Sequence, residues 1–347
     1  MNPPVTIVIP HYRAAVLEEC LDSVFADPHP PARVLVVDDG ENAPSLQRAV
    51  ARFPRLEVRR NERRLWFSGS CNRGLAAVDT PYAVLLNDDT RVTPGWLVPL
   101  VEAAERDPRV AACQPKLLSA TEPTTFDYGG GAGGYIDRLG FTFCRGRIFD
   151  HREPDEGQYD RPVPLFWACG SALFLRMEPA RSLGFLDLEY FMHFEEIDLC
   201  WRLQLAGHRI LAVPGSVVYH HSGFSLPPRS FLKSYLNHRN NLVMLCKNLE
   251  ARRLAWLLPL RLALEAAATA VYLAGRQWSS VPAPAAAVLW VLSHPGQLRR
   301  RRRSSQAVRQ PEARCAGVYA GSIARQYYLH RVRRVRDLVP SMEMEGA

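Results

Sequence analysis

Apolar positions along the first half of the chain alternate between two spacings. Unbroken β-branched and aliphatic runs occur at Val5–Ile9, Val34–Val37 and Tyr82–Leu86, with a shorter one at Leu56–Arg59. Each is bounded by turn residues, as expected of strands buried on both faces of a parallel sheet. Between them the spacing becomes helical: Leu17, Cys20, Leu21, Val24 and Phe25 fall on one face, and further helical segments lie around Ser45–Phe53, near Cys71–Val78 and from Pro94 to Arg106. This alternation predicts a Rossmann-like, mostly parallel central sheet with flanking helices.

Past Val110 the rhythm loosens as far as Arg161. The run Tyr128-Gly129-Gly130-Gly131-Ala132-Gly133-Gly134 carries no Gly-Lys-Ser/Thr and opens no helix after a strand, so it reads as a mobile loop at a site entrance rather than a phosphate cradle. Leu173–Leu175 predicts a strand, a helix begins near Glu195, and Ile210–Val213 leads through Pro214-Gly215 to Val217–Tyr219. After Ser225 the character changes. Ser230–Leu249 reads as a helix, followed by the alanine- and leucine-rich stretches Leu254–Gly275 and Val281–Leu292. Arg261 and Glu265 interrupt the first, and neither stretch supplies the roughly 20 consecutive apolar residues of a membrane span. An interfacial helix pair fits better, with a buried helical hairpin as the structural reading. The division is therefore residues 1–228 for a catalytic domain and 229–347 for a helical, basic, membrane-associating region.

Charge sharpens this picture. The net charge of +8 is concentrated late, at Arg299–Arg303 and again at Arg331, Arg333, Arg334 and Arg336. Following apolar helices, such a block suits anionic headgroups. The eight cysteines form no C-x-x-C pair, which argues against a zinc cluster or disulfide framework and fits a reducing compartment. The chain enters its first strand without a charged or apolar leader, so a cytoplasmic location, peripheral on the inner face of the plasma membrane, is expected.

The candidate chemistry sits at strand ends. Val34–Val37 runs into Asp38-Asp39-Gly40, and Tyr82–Leu86 into Asn87-Asp88-Asp89. Ligands of open α/β sheets bind at such carboxyl ends. Two neighbouring acidic pairs there repel unless a cation lies between them, which is what a nucleotide diphosphate held through a divalent metal requires; taken singly, each pair also reads as a helix cap or turn. Pro10-His11-Tyr12 ends the first strand on the same edge, and Asn61, Trp66-Phe67 and Asn72 offer aromatic and amide groups for a base or ribose. A third cluster, Glu195-Glu196-Ile197-Asp198, follows the aromatic run Tyr190–Phe194. A carboxylate beside an apolar wall has a raised pKa and can accept a proton from a hydroxyl nucleophile. At the last strand end, His220, in preference to His221, is placed to complete a metal site begun by Asp89.

In order, Val8-Ile9-Pro10-His11-Tyr12, Val36-Val37-Asp38-Asp39-Gly40, Asn87-Asp88-Asp89, Cys169-Gly170-Ser171-Ala172, Phe194–Arg202 and the His-x-x-Gly-x-Ser of residues 220–225 resemble the family 2 inverting glycosyltransferases of GT-A fold. His238-Arg239-Asn240-Asn241 resembles a segment of the branch containing bacterial rhamnosyltransferases. The resemblance implies base and ribose contacts by Asp39 with Asp38 beside it, and a metal-binding pair Asp88-Asp89 with Asp89 the direct ligand to Mg2+ or Mn2+. It further implies a catalytic base at Glu196, and a histidine at His220 that helps bind the metal-diphosphate. Many relatives carry Glu-Asp where this chain has Glu195-Glu196, so Glu195 stays a candidate base beside Glu196. The implied partners are a nucleotide-diphosphate sugar, with dTDP-rhamnose ahead of UDP-sugars, and a lipid-linked or polysaccharide acceptor.

Two other classes were weighed. A nucleotidyltransferase would carry a glycine-rich basic turn after the first strand, where this chain has His11-Tyr12-Arg13-Ala14-Ala15. A non-enzymatic membrane- or nucleic-acid-binding protein would account for the arginine block, but nucleic-acid recognition calls for basic residues interleaved with exposed aromatics, and none is expected.

Overall fold

The structure is a computed structural model that describes residues 4–40, 43–222 and 230–341. The parallel half of the main sheet is built from β1 (Val5–His11), β2 (Arg33–Asp38), β3 (Leu56–Arg60) and β4 (Tyr82–Leu86), joined through α1 (Leu17–Phe25), α2 (Pro44–Arg52) and α3 (Trp66–Leu75). Val8 of β1 sits opposite Leu35 on one side and Leu85 on the other. The acidic pairs after β2 and β4 therefore flank the end of β1 on one edge, as the strand runs predict.

Beyond β4 the chain adds β5 (Thr90–Val92), α4 (Leu97–Arg106) and β6 (Val110–Ser119), then β7 (Gly134–Asp137), β8 (Thr142–Cys144), β9 (Arg147–Ile148), β10 (His151–Arg152) and β11 (Val163–Pro164). Next come β12 (Ala172–Arg176), α5 (Met177–Ser182), a 3-10 turn at Leu188–Tyr190, α6 (Glu195–Leu205) and β13 (Arg209–His220). The main sheet runs β11-β13-β6-β12-β4-β1-β2-β3, with β5 on β13. β12 is antiparallel to both neighbours, so the far half of the sheet is mixed.

The region expected to loosen does not. β6 is ten residues long and wholly buried, and β10-β9-β8-β7 form a second sheet. The glycine run is not a mobile loop either: Gly130 to Gly134 are buried. Gln114 donates to the carbonyls of Gly130 and Gly131 at 3.1 and 3.2 Å and accepts from Cys169 N at 2.8 Å. Gly131 has φ +49°, with the Arg145 carbonyl where a Cβ would stand. These glycines allow a tight crossing, not motion.

The C-terminal part comprises α7 (Phe231–Asn248), α8 (Ala251–Ala274), α9 (Ala283–Ser293), α10 (Pro295–Ala307), β14 (Val318–Tyr319) and α11 (Ile323–Tyr328). The Ser230 hydroxyl caps α7 by accepting from Lys233 N at 3.3 Å. The polar interruption of α8 is its docking face: Glu265 sits 3.1 Å from Arg261 and 2.5 Å from His238 of α7, and Arg261 donates to Asn241 at 2.9 Å. Contrary to the sequence expectation, α8 is long and apolar enough to cross a membrane by length and composition, and most of its apolar window lies outside the core. Trp256, Leu260, Val271 and Leu273 are exposed on it, as are Trp278, Leu289 and Leu292 beyond.

The arginine block is divided, correcting its assignment as a whole to headgroups. Arg301 is buried against Asp187 at 2.9 Å, and Arg302 donates to the carbonyls of Cys246 and Leu249 at 2.9 and 2.6 Å. Within Arg299–Arg303, Arg299, Arg300 and Arg303 face outward. After α10 the chain returns to the small sheet, where β14 lies parallel to β7 and Val335 and Leu338 join a core with Phe126, Phe143 and Tyr159.

Candidate active site

Strand pairing assembles the site. β4 ends at Leu86, and the chain turns through Asn87-Asp88-Asp89 directly into β5. β5 pairs antiparallel with the end of β13, setting Thr90 opposite His220. Asp89 Oδ1 thus lies 3.1 Å from His220 Nε2, and His221 N donates to the Asp89 carbonyl at 2.9 Å. His221 itself turns toward Glu19, at 3.5 Å. Behind His220, its Nδ1 is 2.9 Å from Asp127 Oδ2, and Ser222 donates to the other Asp127 oxygen at 2.9 Å. Burial disfavours charge on His220, but the carboxylates on both sides outweigh it and lift its pKa to about 10. Asp88 Oδ2 sits 2.6 Å from His11 Nδ1; burial raises the Asp88 carboxyl, with His11 opposing. The remainder of the His-x-x-Gly-x-Ser motif, residues 223–225, lies outside the described residues.

These residues suit a divalent cation. Oδ1 of Asn87 is buried and accepts no hydrogen bond, a state that buried acceptors rarely keep without a ligand, and the buried Oδ1 of Asp89 faces His220 Nε2 beside it. An imidazole whose far nitrogen is fixed by a carboxylate is the usual support of a metal-binding histidine. Among the described residues no three His, Cys, Asp or Glu side chains surround one point. Asp89 and His220 would thus supply two of the ligands such a cation needs.

On the β2 side, Asp38 accepts from Gly40 N at 2.9 Å. Asp39 accepts from Leu65 N at 2.6 Å, Trp66 N at 2.9 Å and Asn61 at 2.8 Å, which pins the start of α3. Pro10 lies within β1 opposite Val37. The Arg64 guanidinium lies over both the Tyr12 and the Trp66 ring, 4.0 and 3.8 Å from their centres. Asn72 is not brought to this edge: both ends of its amide bind Leu186, at 2.7 and 3.0 Å.

The glutamates enter from the first turn of α6. Gly170 lies between Phe67 and Glu196, and Ser171 accepts from Asn87 N at 2.9 Å. The Gly170-Ser171 segment thereby links Glu196 to the acidic turn. Oε2 of each glutamate is buried without a partner. Burial raises both carboxyls; the charge of Glu196 pushes Glu195 further, while the backbone N–H groups of Glu196, Ile197 and Gly170 restrain Glu196. Asp198 is not brought to the site. It accepts from Arg202, Lys247 and Asn248 at 2.8, 2.7 and 2.8 Å and from the Tyr190 hydroxyl at 3.1 Å, an internal ion-pair centre joining α6 to α7.

Glycosyl transferase family 2 matches residues 6–146, and Glycosyl transferase family group 2 matches residues 82–294. The chain is a family 2 glycosyltransferase. This transferase is 28% identical over 253 residues to N-acetylglucosaminyl-diphospho-decaprenol L-rhamnosyltransferase of Mycobacterium tuberculosis, covering 66% of this chain and 79% of the relative. Among solved structures it is similar to mannosyltransferase PcManGT from Pyrobaculum calidifontis in complex with GDP-Man and Mn2+, with TM-score 0.52, 16% identity, and coverage of 85% of this chain and 88% of that one. It is also similar to GalNAc-T7 with UDP, GalNAc and Mn2+, with TM-score 0.55, 19% identity, and coverage of 70% of this chain and 48% of that one. Those two likenesses establish the GT-A-type fold, and the family places the transferase among enzymes with nucleotide-sugar donors.

Three residues that brace the surroundings of the candidate site escaped sequence reasoning. Asp127 precedes the glycine run and supports His220; its Asp-x-Gly turn, closed by Gly129 N at 2.6 Å, was the available signal. Gln114, inside a strand, had none. Asn240 stood in a noted motif without an assigned task.

Proposed function

We propose that the transferase moves a sugar, with rhamnose from dTDP-rhamnose the leading donor, onto a lipid-linked or cell-surface polysaccharide acceptor with inversion at the anomeric carbon. The observation that carries this reading is the meeting of Asp89 and His220 at the β4 edge, with Glu196 joined to them through Gly170 and Ser171. The mycobacterial relative, an N-acetylglucosaminyl-diphospho-decaprenol L-rhamnosyltransferase, supports rhamnose and a lipid-diphosphate acceptor.

In this reading Asp39, Asp38 and Asn61 face the base and ribose, with Tyr12 and Trp66 offering the rings that Arg64 covers. Asp89 and His220 hold Mg2+ or Mn2+, with Asp88 oriented by His11. Such a cation neutralises the charge building on the departing diphosphate. Glu196 is the base: ionised, it takes the proton of the acceptor hydroxyl as that oxygen forms its bond to the anomeric carbon and the bond to the diphosphate breaks on the opposite face. Burial makes it a stronger base than an exposed glutamate. The buried charge of Glu195 is disfavoured beside it, so Glu195 is the proton-holding member of the pair.

The exposed apolar face of α8 and α9, with Trp256 and Trp278 and the outward Arg299, Arg300 and Arg303, supports seating on an anionic membrane surface. The cytoplasmic face, where nucleotide sugars are available, is the side we assign.

The test offers purified enzyme dTDP-rhamnose, UDP-sugars and GDP-mannose with a polyprenyl-diphospho-sugar acceptor in anionic vesicles, with Mn2+ or EDTA, and reads product by mass spectrometry. Transfer from dTDP-rhamnose that EDTA abolishes is expected. Transfer from another donor only would remove the rhamnose assignment, and EDTA-insensitive transfer would remove the metal.

A further inference from the structure

The His238-Arg239-Asn240-Asn241 segment lies on α7, away from the acidic turn, and nothing in the proposed chemistry uses it. Its side chains nevertheless reach the chain that presents the glutamates. Asn240 Nδ2 donates toward the carbonyls of Tyr190, Met192 and His193 at 3.1, 2.9 and 2.7 Å. Arg239 donates to the Glu189 carbonyl at 2.8 Å, and its Nε and Nη2 hold Asn240 Oδ1 at 2.8 and 2.5 Å, fixing which end of the amide faces the loop. The remaining carbonyl of the run, that of Phe191, is taken from the other side by Ser68 of α3, through its backbone N at 3.0 Å and its hydroxyl at 3.1 Å.

Successive carbonyls of an extended chain point to opposite sides. Three of them converge on one nitrogen here because the loop takes positive φ at non-glycine residues: Phe191, His193 and Phe194 have φ of +62°, +66° and +74°, and at Phe191 a tight turn brings Met192 N to 2.7 Å from the Tyr190 carbonyl. Such conformations persist only where surrounding contacts over-determine them. They end at Phe194, directly before Glu195 and Glu196, the first residues of α6. The loop thus sets where the first turn of α6 begins and how it presents the glutamates, and Asn240 ties down the loop.

We propose that Asn240, oriented by Arg239, is a positioning residue that holds the 190–194 loop in its positive-φ course and thereby aims the α6 glutamate at the acceptor hydroxyl. The same clamp ties the catalytic turn to the helical region: Arg239 also lies against Trp290 of α9, 5.2 Å from its ring, and Asp187 and Glu189 of the loop bind Arg301 and Gln297 of α10. This rests on the reading of the α6 glutamate as base.

Asn240→Asp is nearly isosteric but turns the two-hydrogen donor into an acceptor facing three carbonyls. The full-length variant should lose at least 30-fold in kcat, with the KM for the nucleotide-sugar donor and the thermal-shift response to its nucleotide within threefold of wild type. Amide exchange in peptides spanning 187–197 should quicken while that in β1 and β4 stays put. Arg239→Lys, which keeps the charge but not the fork, should show the same pattern at 5- to 20-fold and guards against a first variant that does not fold. Unchanged kcat in both variants, or kcat, donor KM and exchange throughout the sheet all failing together, would overturn the positioning role. The exchange measurement needs no turnover. If wild type transfers no sugar at all, faster exchange confined to 187–197 still supports the clamp, and no change in exchange there sinks it independently of the enzyme's activity.

Discussion

Asp198 was a catalytic candidate by its place in the acidic cluster, and its surroundings make a different prediction for Asp198→Asn. The carboxylate is fully buried and receives two cations, Arg202 Nε at 2.8 Å and Lys247 Nζ at 2.7 Å. Losing one partner of a buried pair costs about 3–5 kcal/mol. Here both cations keep other acceptors, Lys247 with Asp187 at 2.7 Å and Arg202 with the carbonyls of Leu183 and Phe185 at 2.8 and 2.5 Å. The cost therefore belongs at the lower end, about 3 kcal/mol, which corresponds to roughly 6–12 °C in Tm at the sensitivity of a domain somewhat smaller than this. Despite burial, which opposes its charge, Lys247 and Arg202 hold the Asp198 carboxyl well below the ordinary range. Its contribution is thus present above the unfolded pKa near 3.8 and disappears as pH falls through the folded value. Urea melts at pH 7 and at about pH 3 would read this: the gap between wild type and Asp198→Asn should be full at pH 7 and only partly reduced at pH 3, where the folded carboxyl is still ionised. Sugar transfer per folded molecule at pH 7 should stay within a few-fold. A Tm within 2 °C of wild type combined with lost transfer would refute the structural reasoning and return Asp198 to the chemistry.

Glu196→Gln should retain nucleotide binding and lose at least about 100-fold in kcat, the usual contribution of a general base; a rate near wild type in single-turnover transfer moves the base to Glu195. Because burial raises the Glu196 carboxyl, the acidic limb of wild-type log kcat should fall off above the ordinary glutamate pKa near 4.3, and a limb at or below that value contradicts the buried base. Asp127→Asn should weaken Mn2+ binding by about 10–100-fold, as loss of an outer partner does at histidine sites, and unchanged Mn2+ titration would show that His220 needs no support. In EDTA, the stability that His220 gains from its two carboxylates is complete below its unfolded pKa near 6.5 and lost as pH rises toward about 10. Wild-type Tm should consequently fall more between pH 7 and 10 than that of His220→Gln, and parallel curves would remove the ion pairing.

What was legible in the sequence follows from how each feature is encoded. β1, β2 and β4 are continuous apolar runs because both faces are covered, and their ends announced the acidic pairs. The second sheet was illegible because its strands run from two to four residues, too short for a period of two to emerge beside flanking glycines and charges. Glycine content alone cannot distinguish a loose loop from a crossing too tight for a Cβ; the buried Gln114 that decides the matter lies in another strand. Five consecutive arginines on a helix, spaced about 100° apart, necessarily point all round it, so Arg301 and Arg302 had to face inward once α10 packed on α7. Asp127 and His220 are 93 positions apart, and only the pairing of β6 with β13 makes them neighbours.

The parallel pairing of Val318 with Ile136 also sets an order of events during synthesis. β7 emerges early, yet its partner β14 follows the whole of α7 to α10, and the small core waits further for Val335 and Leu338. Loop-closure entropy delays such distant pairing until the intervening chain has been made. The apolar helix pair is complete before the chain that closes the second sheet exists, so α8 and α9 are made while β7 still has an open edge. A nascent chain stalled after α10 would display that edge together with the exposed tryptophans, and such species aggregate. β14, Val335 and Leu338 thus close the second sheet and its core after the helices are made.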